Sequence, residues 1–432
     1  MNKDAAFGQP LLQLRQTKSD AMGKQLLRLT AAGLLAFLLG MGIYQPPALA
    51  LTDEQNLVAE VWRLVNRAYL DETFNRQNWW FVRERFIKRD YRDRAATYDA
   101  IREMLGLLND PYTRLLPPEQ YRSLQTSTAG ELTGVGLQIA KDEADKSLQV
   151  IAPIEGSPAA AADLQPRDRI LAIDGHSTAE LTLDEAANYM RGPVGTTVVL
   201  TISRAEQAPE EVTLTRDIVN LNPVMTRLAQ VSDDLTVGYI RLSQFNANAT
   251  SEVAATLQDL EQQGANAYIL DLRNNPGGLL NAGIEIARLW LDRGTIVYTF
   301  DRRGVLDDFE ADGSALTDDP LVLLVNEGTA SASEILAGAL QDNRRAQLVG
   351  NTTFGKGLIQ SLFDLSDGSG LVVTVAKYKT PANHDINRSG IRPDKTVPLE
   401  AITRDQIGTA KDTQYQAAIE ILSQSTVMAS AP

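Results

Sequence analysis

The chain has 432 residues, 44% of them hydrophobic and 22% charged, with a formal net charge of −14. That length calls for two or three domains, and the acidic balance lacks the basic footprint of a nucleic-acid-binding protein. The absence of cysteine excludes thiol nucleophiles, zinc–thiolate sites, iron–sulfur ligation and disulfides, and only His176 and His384 are available to histidine-based chemistry.

Lys24 and Arg28 precede an apolar run of 15 residues, Thr30–Tyr44, followed by Pro46-Pro47 and Ala48-Leu49-Ala50. A basic start, a short apolar core and an A-x-A site predict a secretory signal peptide cleaved after Ala50. The run is shorter than the ~20 residues that span a bilayer. MGKQLLRL from Met22 is also a compact beginning, so starts at Met1 and Met22 both fit. Removing residues 1–50 takes away five basic and two acidic residues and leaves a net charge of −17. No later stretch is apolar enough to span, so the mature chain is expected to be soluble.

From Thr52 the pattern is helical. Thr52 and Gln55 have capping-box spacing, and Leu57, Val61, Leu64, Val65 and Ala68 repeat on one face. Trp79, Trp80 and Phe81 read as core. A second helix is expected over Tyr98–Leu108, broken by Asp110-Pro111. From Gly130 the texture turns to short strands: one opened by Gly134-Val135-Gly136-Leu137, then Leu148–Ala152, Ile170–Ile173, an Asp174-Gly175 turn, and Val198–Ile202. A helix over Leu183–Met190 sits among them, and Val212–Thr215 extends the last hairpin. From Val219 strands and helices alternate. Strands are expected at Val237–Leu242, Ala267–Leu272 and Leu321–Val325. Helices are expected at Ser251–Gln262, Leu279–Leu291, Ser331–Leu340 and Asp412–Leu422, with a loose tail after Ser423. This alternation argues α/β layering.

Three segments hold candidate chemistry. NEGTASASEILAGALQD, Asn326–Asp342, begins where a buried strand ends, the favoured place for reactive groups in α/β sheets. Its small residues let another backbone approach Ser331. Ser331 and Glu334 also have S-x-x-E spacing, so Ser331 reads equally as a helix cap. In TTFGKGLIQS, Thr352–Ser361, Lys356 lies between glycines and apolar residues. Burial there would lower its pKa and let a neutral amine take a hydroxyl proton; a solvated turn lysine is the plainer alternative. In a strand, positions 356, 358 and 360 would share a face, placing Gln360 beside the amine. In DLRNNPGGLL, Asp271–Leu280, Gly277 and Gly278 offer unobstructed N–H groups before a helix, either as an oxyanion site or as a simple turn. GxSxG is absent, and both histidines read as surface or structural.

Together and in this order, DLRNNPGG, TASASE and GKG resemble the carboxyl-terminal processing peptidases, or tail-specific proteases, across essentially the whole mature chain. The resemblance implies an α/β fold with a crotonase-like β-β-α catalytic core (216–432), an inserted PDZ domain (128–215) and an N-terminal helical domain (51–127). It implies Ser331 as nucleophile, Lys356 as general base, Gln360 as support for the lysine, Gly277 and Ala332 as oxyanion-hole positions, and Glu334 in a supporting role. This is a Ser-Lys variant of triad chemistry. No metal or cofactor is implied.

The TGVGLQI segment resembles a PDZ carboxylate-binding loop and strand, with Gly134, Val135, Gly136 and Leu137 holding a substrate C-terminus by strand addition. Arg191, before the Gly192 turn, could link tail occupancy to the core. LVNRAYLDETFNRQNWWFVRERF and LNDPYTRLLPPEQYRSLQT are similar to the cyanobacterial and thylakoid-lumen branch. That likeness implies as substrate the photosystem II reaction-centre subunit precursor, and as location the thylakoid lumen or periplasm, near a membrane surface. A general envelope protease for tagged tails and a non-catalytic PDZ adaptor are the alternatives.

Overall fold

The computed structural model describes residues 51–142, 147–154, 156–204, 207–398, 402–403 and 406–429. The expected signal peptide lies outside them. The chain divides into two compact units, residues 1–56 and 57–432. In the first, Thr52 N–H donates to Gln55 Oε1 and Gln55 N–H to Thr52 Oγ1, closing the expected capping box.

In the second unit, a six-stranded sheet runs in the order Val224–Gln230, Thr236–Leu242, Ala267–Asp271, Leu321–Val325, Ala346–Gly350, Lys395–Thr396. Only its first pair is antiparallel. Both faces are covered, which is why Ala267–Asp271 and Leu321–Val325 read as unbroken apolar runs. One face packs Ile240, Leu270 and Leu323 against the helices Ala249–Gln262, Leu280–Arg288 and Ala332–Asp342. The other packs Val237, Ile269 and Leu324 against Tyr415, Ala418 and Leu422 of the helix Thr413–Ala429. That helix continues past Ser423, where a loose tail was expected.

A buried charge cluster joins the last helix to the sheet. The Arg273 guanidinium donates to Asp271 at 2.9 and 2.6 Å and to Asp412 at 2.9 and 2.7 Å. Tyr239 Oη also donates to Asp271, at 2.6 Å. Each charge has an opposite partner, without which burial would be prohibitive.

A second, five-stranded sheet centres on Gly370–Lys379, flanked by Leu358–Asp364, Arg114–Leu116 and the hairpin Thr295–Asp301/Gly304–Glu310. The helices Asp53–Ala68, Trp79–Ile87 and Arg94–Gly106 share a core with Leu365, Leu371 and Val373 of this sheet. The helical region is therefore stitched to the sheet through Arg114–Leu116 rather than standing alone.

One expectation there is overturned. Trp79 is buried, but Trp80 and Phe81 are 60% and 70% exposed. Asn78 caps a helix that starts at Trp79, and three consecutive residues of a 3.6-residue turn cannot all face one core.

The intervening segment forms its own sheet: Leu137–Lys141, Leu148–Pro153, Arg169–Ile173, Thr197–Ser203, Glu210–Thr215. The turn between Arg169–Ile173 and His176–Ser177 has φ of 46° at Asp174 and 74° at Gly175, the two positive values of a tight hairpin. A ribbon of Glu131–Gly134 against Asp217–Asn220 connects this segment to the rest.

Candidate active site

The strand Leu321–Val325 ends at Asn326, and Ser331 stands immediately before the helix Ala332–Asp342. Ser331 has φ 58° and ψ −118°, a conformation that L-residues avoid. Several bonds hold it there. Ala330 N–H donates to Asn275 O at 3.0 Å, and Ser331 N–H to Glu334 Oε2 at 2.9 Å. Ser331 O accepts from Tyr378 Oη at 3.1 Å. A strained serine on a strand-to-helix turn is one way a fold presents a nucleophile. The capping-box arrangement is present, but its bonds use the Glu334 side chain and Ser331 main chain. Glu334 N–H goes to Ser331 O at 2.8 Å, and the hydroxyl makes no cap hydrogen bond.

The DLRNNPGG turn lies against this one. Asn274 N–H donates to Asn326 Oδ1 at 2.9 Å, and Asn326 Nδ2 returns a bond to Asn274 Oδ1 at 3.0 Å. Ser333 Oγ donates to Asn275 O at 3.0 Å. Gly277 has φ 95°, and a Cβ there would lie 2.7 Å from Ala330 O and 2.9 Å from both Ala332 N and Ser331 Cβ. Only glycine allows that approach. Gly277 N–H donates to Asn275 Oδ1 at 2.9 Å. Ala332 opens the helix, so its N–H has no intrahelical carbonyl to meet.

Glu334 ties the third segment in. Its fully buried carboxylate accepts Thr353 Oγ1 at 2.6 Å and the N–H groups of Gly355 (2.7 Å), Lys356 (2.9 Å) and Ser331 (2.9 Å). The same carboxylate therefore fixes the main chain of both Ser331 and Lys356. Tyr378 repeats the link, its hydroxyl lying 2.7 Å from Lys356 O as well as near Ser331 O. Burial pushes the Tyr378 hydroxyl well up, with the Glu334 charge adding to it, so it stays a donor.

Lys356 is half-buried. Burial lowers its pKa, the Arg114 charge lowers it further, and Glu334 opposes both. Its Nζ lies 5.3 Å from the centre of the Tyr112 ring. Gln360 does not share an alternating strand face with Lys356. The strand begins at Leu358, and a bulge between Ile359 and Gln360 breaks the alternation. Gln360 Nε2 is nonetheless buried with no hydrogen-bond partner among the described residues.

Ser331, Ala332, Glu334, Lys356 and Gly277 are thus brought together. Gly134–Leu137 lies in the segment entered by the ribbon. Gly134 ends one strand and Leu137 opens the next, rather than all four opening one. Among the described residues, the strand Leu137–Lys141 pairs only with Leu148–Pro153, and its other edge is unpaired in that sheet. Arg191 is exposed. Arg216 grips the end of the helix Leu183–Met190, donating to Tyr189 O at 2.8 Å and Met190 O at 3.2 Å. His384 is exposed, and exposed His176 stacks on Tyr189 at 5.1 Å. The sequence reading missed Asn275, Thr353 and Tyr378. Asn275 sits inside a motif already singled out; Tyr378 has no local signal.

Residues 236–397 match the model of Peptidase family S41, and residues 149–204 that of a PDZ domain. The chain is 59% identical over 93% of its length to a carboxyl-terminal-processing protease of a Synechocystis species, covering 95% of that protein. The chain belongs to peptidase family S41. This S41 chain is also 48% identical to carboxyl-terminal-processing peptidase 2, chloroplastic, of Arabidopsis thaliana, across 82% of the chain and 70% of the relative. Among solved structures it resembles the photosystem II D1 C-terminal processing protease, with 42% identity and a TM-score of 0.53 over 80% of this chain and 94% of that one. It is a carboxyl-terminal-processing protease.

Proposed function

We propose that this protease removes the C-terminal extension of the photosystem II D1 precursor, with Ser331 as nucleophile and Lys356 as general base. The observation that carries the chemistry is the Glu334 carboxylate, which accepts the N–H groups of both residues. Neutral Lys356 takes the Ser331 Oγ proton as Oγ attacks the scissile carbonyl. The amine then passes that proton to the leaving nitrogen, and water hydrolyses the acyl-enzyme in the reverse sense. The Ala332 N–H stabilises the oxyanion, and Gly277 N–H joins it by exchanging its bond to Asn275 Oδ1. The Gln360 amide, whose Nε2 has no partner among the described residues, supports the lysine.

The substrate rests on similarity to a D1 processing protease. Residues 128–215 act as the PDZ domain, with Gly134, Val135, Gly136 and Leu137 receiving the substrate tail along the open strand edge. Residues 51–127 form the N-terminal helical domain and 216–432 the catalytic core, whose stacked sheets and intervening helices we read as crotonase-like. After cleavage near Ala50 the chain works in the thylakoid lumen or periplasm; no helix among the described residues is long and apolar enough to cross a membrane.

The test is incubation of residues 51–432 with the D1 precursor, mass analysis of the products, and Ser331→Ala and Lys356→Ala as controls. One cut near the precursor C-terminus, absent in both variants, is expected. Activity in both variants would overturn the mechanism. Degradation of unrelated tails with the precursor left intact would overturn the substrate and favour a general tail protease.

A further inference from the structure

Among the described residues, the three most exposed large apolar side chains are Phe81 (70%), Val305 (67%) and Trp80 (60%). Trp80 and Phe81 are neighbours while Val305 is distant in the chain, and one helix connects the two parts. The Trp80 ring meets Trp62 of the helix Asp53–Ala68 edge-on, centroids 5.6 Å apart. One turn along that helix, the carbonyls of Asn66 and Arg67 accept the Arg302 guanidinium at 3.3 and 2.8 Å. Arg302 stands at the tip of the hairpin whose second strand begins Gly304-Val305.

Cations flank both ends. Arg83 lies over the Trp62 and Trp80 rings at 5.6 and 5.2 Å. The Arg303 side chain is largely exposed beside Val305 and bonds Asp301 through Nε and Nη2, while Arg302 Nε lies 3.9 Å from a Glu72 carboxylate oxygen. Residues 76–94 hold seven basic and three acidic residues in a chain of net charge −14. Glu84 and Glu103 offset some of this positive charge, pairing with Arg83, Lys88, Arg85 and Arg89.

Exposed aromatic rings beside arginines match the headgroup zone of a bilayer. There the rings leave water while the guanidinium groups meet anionic headgroups. A second copy fits less well, because an isologous contact would set the net-basic patch of residues 76–94 against the same patch of the other copy.

We propose that Trp80, Phe81 and Val305, ringed by Arg83, Arg302 and Arg303, form a rim that docks on an anionic bilayer surface. The contact is peripheral and uses none of the residues around Ser331. It goes beyond the cleavage reaction and stands or falls separately from it.

The test is sedimentation of residues 51–432 with vesicles of phosphatidylcholine alone and with one-third phosphatidylglycerol. Binding to the anionic vesicles is expected at low salt, weakening as salt rises to roughly 0.5 M. The double variant Trp80→Ser/Phe81→Ser should bind at least about tenfold more weakly while cleaving a soluble C-terminal peptide at the wild-type rate. If that variant does not fold, Arg303→Glu, at an exposed hairpin tip, tests the same rim. The proposal is overturned if the wild-type chain binds neither vesicle, or if the folded variant binds as well as wild type. It is also overturned if the wild-type chain is a dimer that the substitutions split, since the rim would then be an interface between copies.

Discussion

The turn around Ser331 and the open edge of the PDZ segment solve opposite problems. Around Ser331 main-chain polar groups are largely taken up: Asn275, Glu334, Thr353 and Tyr378 bind one another's loops, and Glu334 alone receives four hydrogen bonds. Along Leu137–Lys141, among the described residues, one side of the strand is paired and the other is not. Chemistry needs reacting groups held within fractions of an ångström, so the fold spends its bonding capacity there on itself. Recognition of varied tails, the role proposed for the PDZ edge, needs donors and acceptors left free. The contrast is between a backbone that is over-determined and one that is waiting for a partner.

That contrast can be broken most directly at Ser331. Ser331→Ala should lower cleavage by at least ~10⁴-fold while leaving urea stability nearly unchanged, because the hydroxyl makes no cap bond. A loss of about 1 kcal/mol or more would mean the hydroxyl works as a cap after all.

Next is the cluster behind the turn. Arg273→Met leaves Asp271 and Asp412 buried without their cation and should cost ~3–5 kcal/mol in denaturant unfolding. Burial works to raise the Asp412 carboxyl, but the Arg273 bonds outweigh it and hold it below the usual carboxylate range. The stability this contributes is present above the ordinary carboxylate pKa and is lost as pH falls through the lowered one. The variant should therefore lose part of the wild-type acid sensitivity of unfolding.

Glu334→Gln should cost ~1.5–3 kcal/mol, because an amide cannot accept all four donors, and cleavage should fall further than the lost folded fraction explains. If activity tracks stability alone, the carboxylate only holds the loops. At the open edge, Gly136→Ala places a Cβ where φ is 74° and Ser157 Cβ would be 2.2 Å away. It should raise KM for full-length tails roughly tenfold, about 1.4 kcal/mol, without slowing peptides too short to reach the PDZ segment.

The smallest effect concerns protonation. Cleavage should rise with pH as Lys356 loses its proton, through a midpoint below that of an ordinary lysine. Arg114→Gln removes a charge that disfavours the ammonium, so the midpoint should move upward. A profile unchanged by that substitution would detach Arg114 from the site.

Local pattern carried much of this into the sequence. Leu321–Val325 and Leu183–Met190 are legible because buried strands and amphipathic helices impose their periods on the residues. The S-x-x-E spacing at Ser331 and Glu334 is legible too, though not that Glu334 would turn its second oxygen on Thr353 and Gly355. What escaped is what local pattern does not encode. Trp80 and Phe81 depend on where a helix starts. The Gln360 bulge depends on the partner strand. Arg273 and Asp412 are 139 residues apart, and no periodicity links them.

Gly134 and Asp217 are ladder partners in the connecting ribbon. The chain thus departs for the PDZ segment and returns from it at one ladder pair. The proposed recognition module is an insertion with adjacent ends, and a short turn from Gly134 to Asp217 would close the core without it. Such an arrangement makes the tail reader interchangeable in principle: a different strand-adding module set between the same two residues would redirect which proteins are trimmed while leaving the cutting machinery as it is.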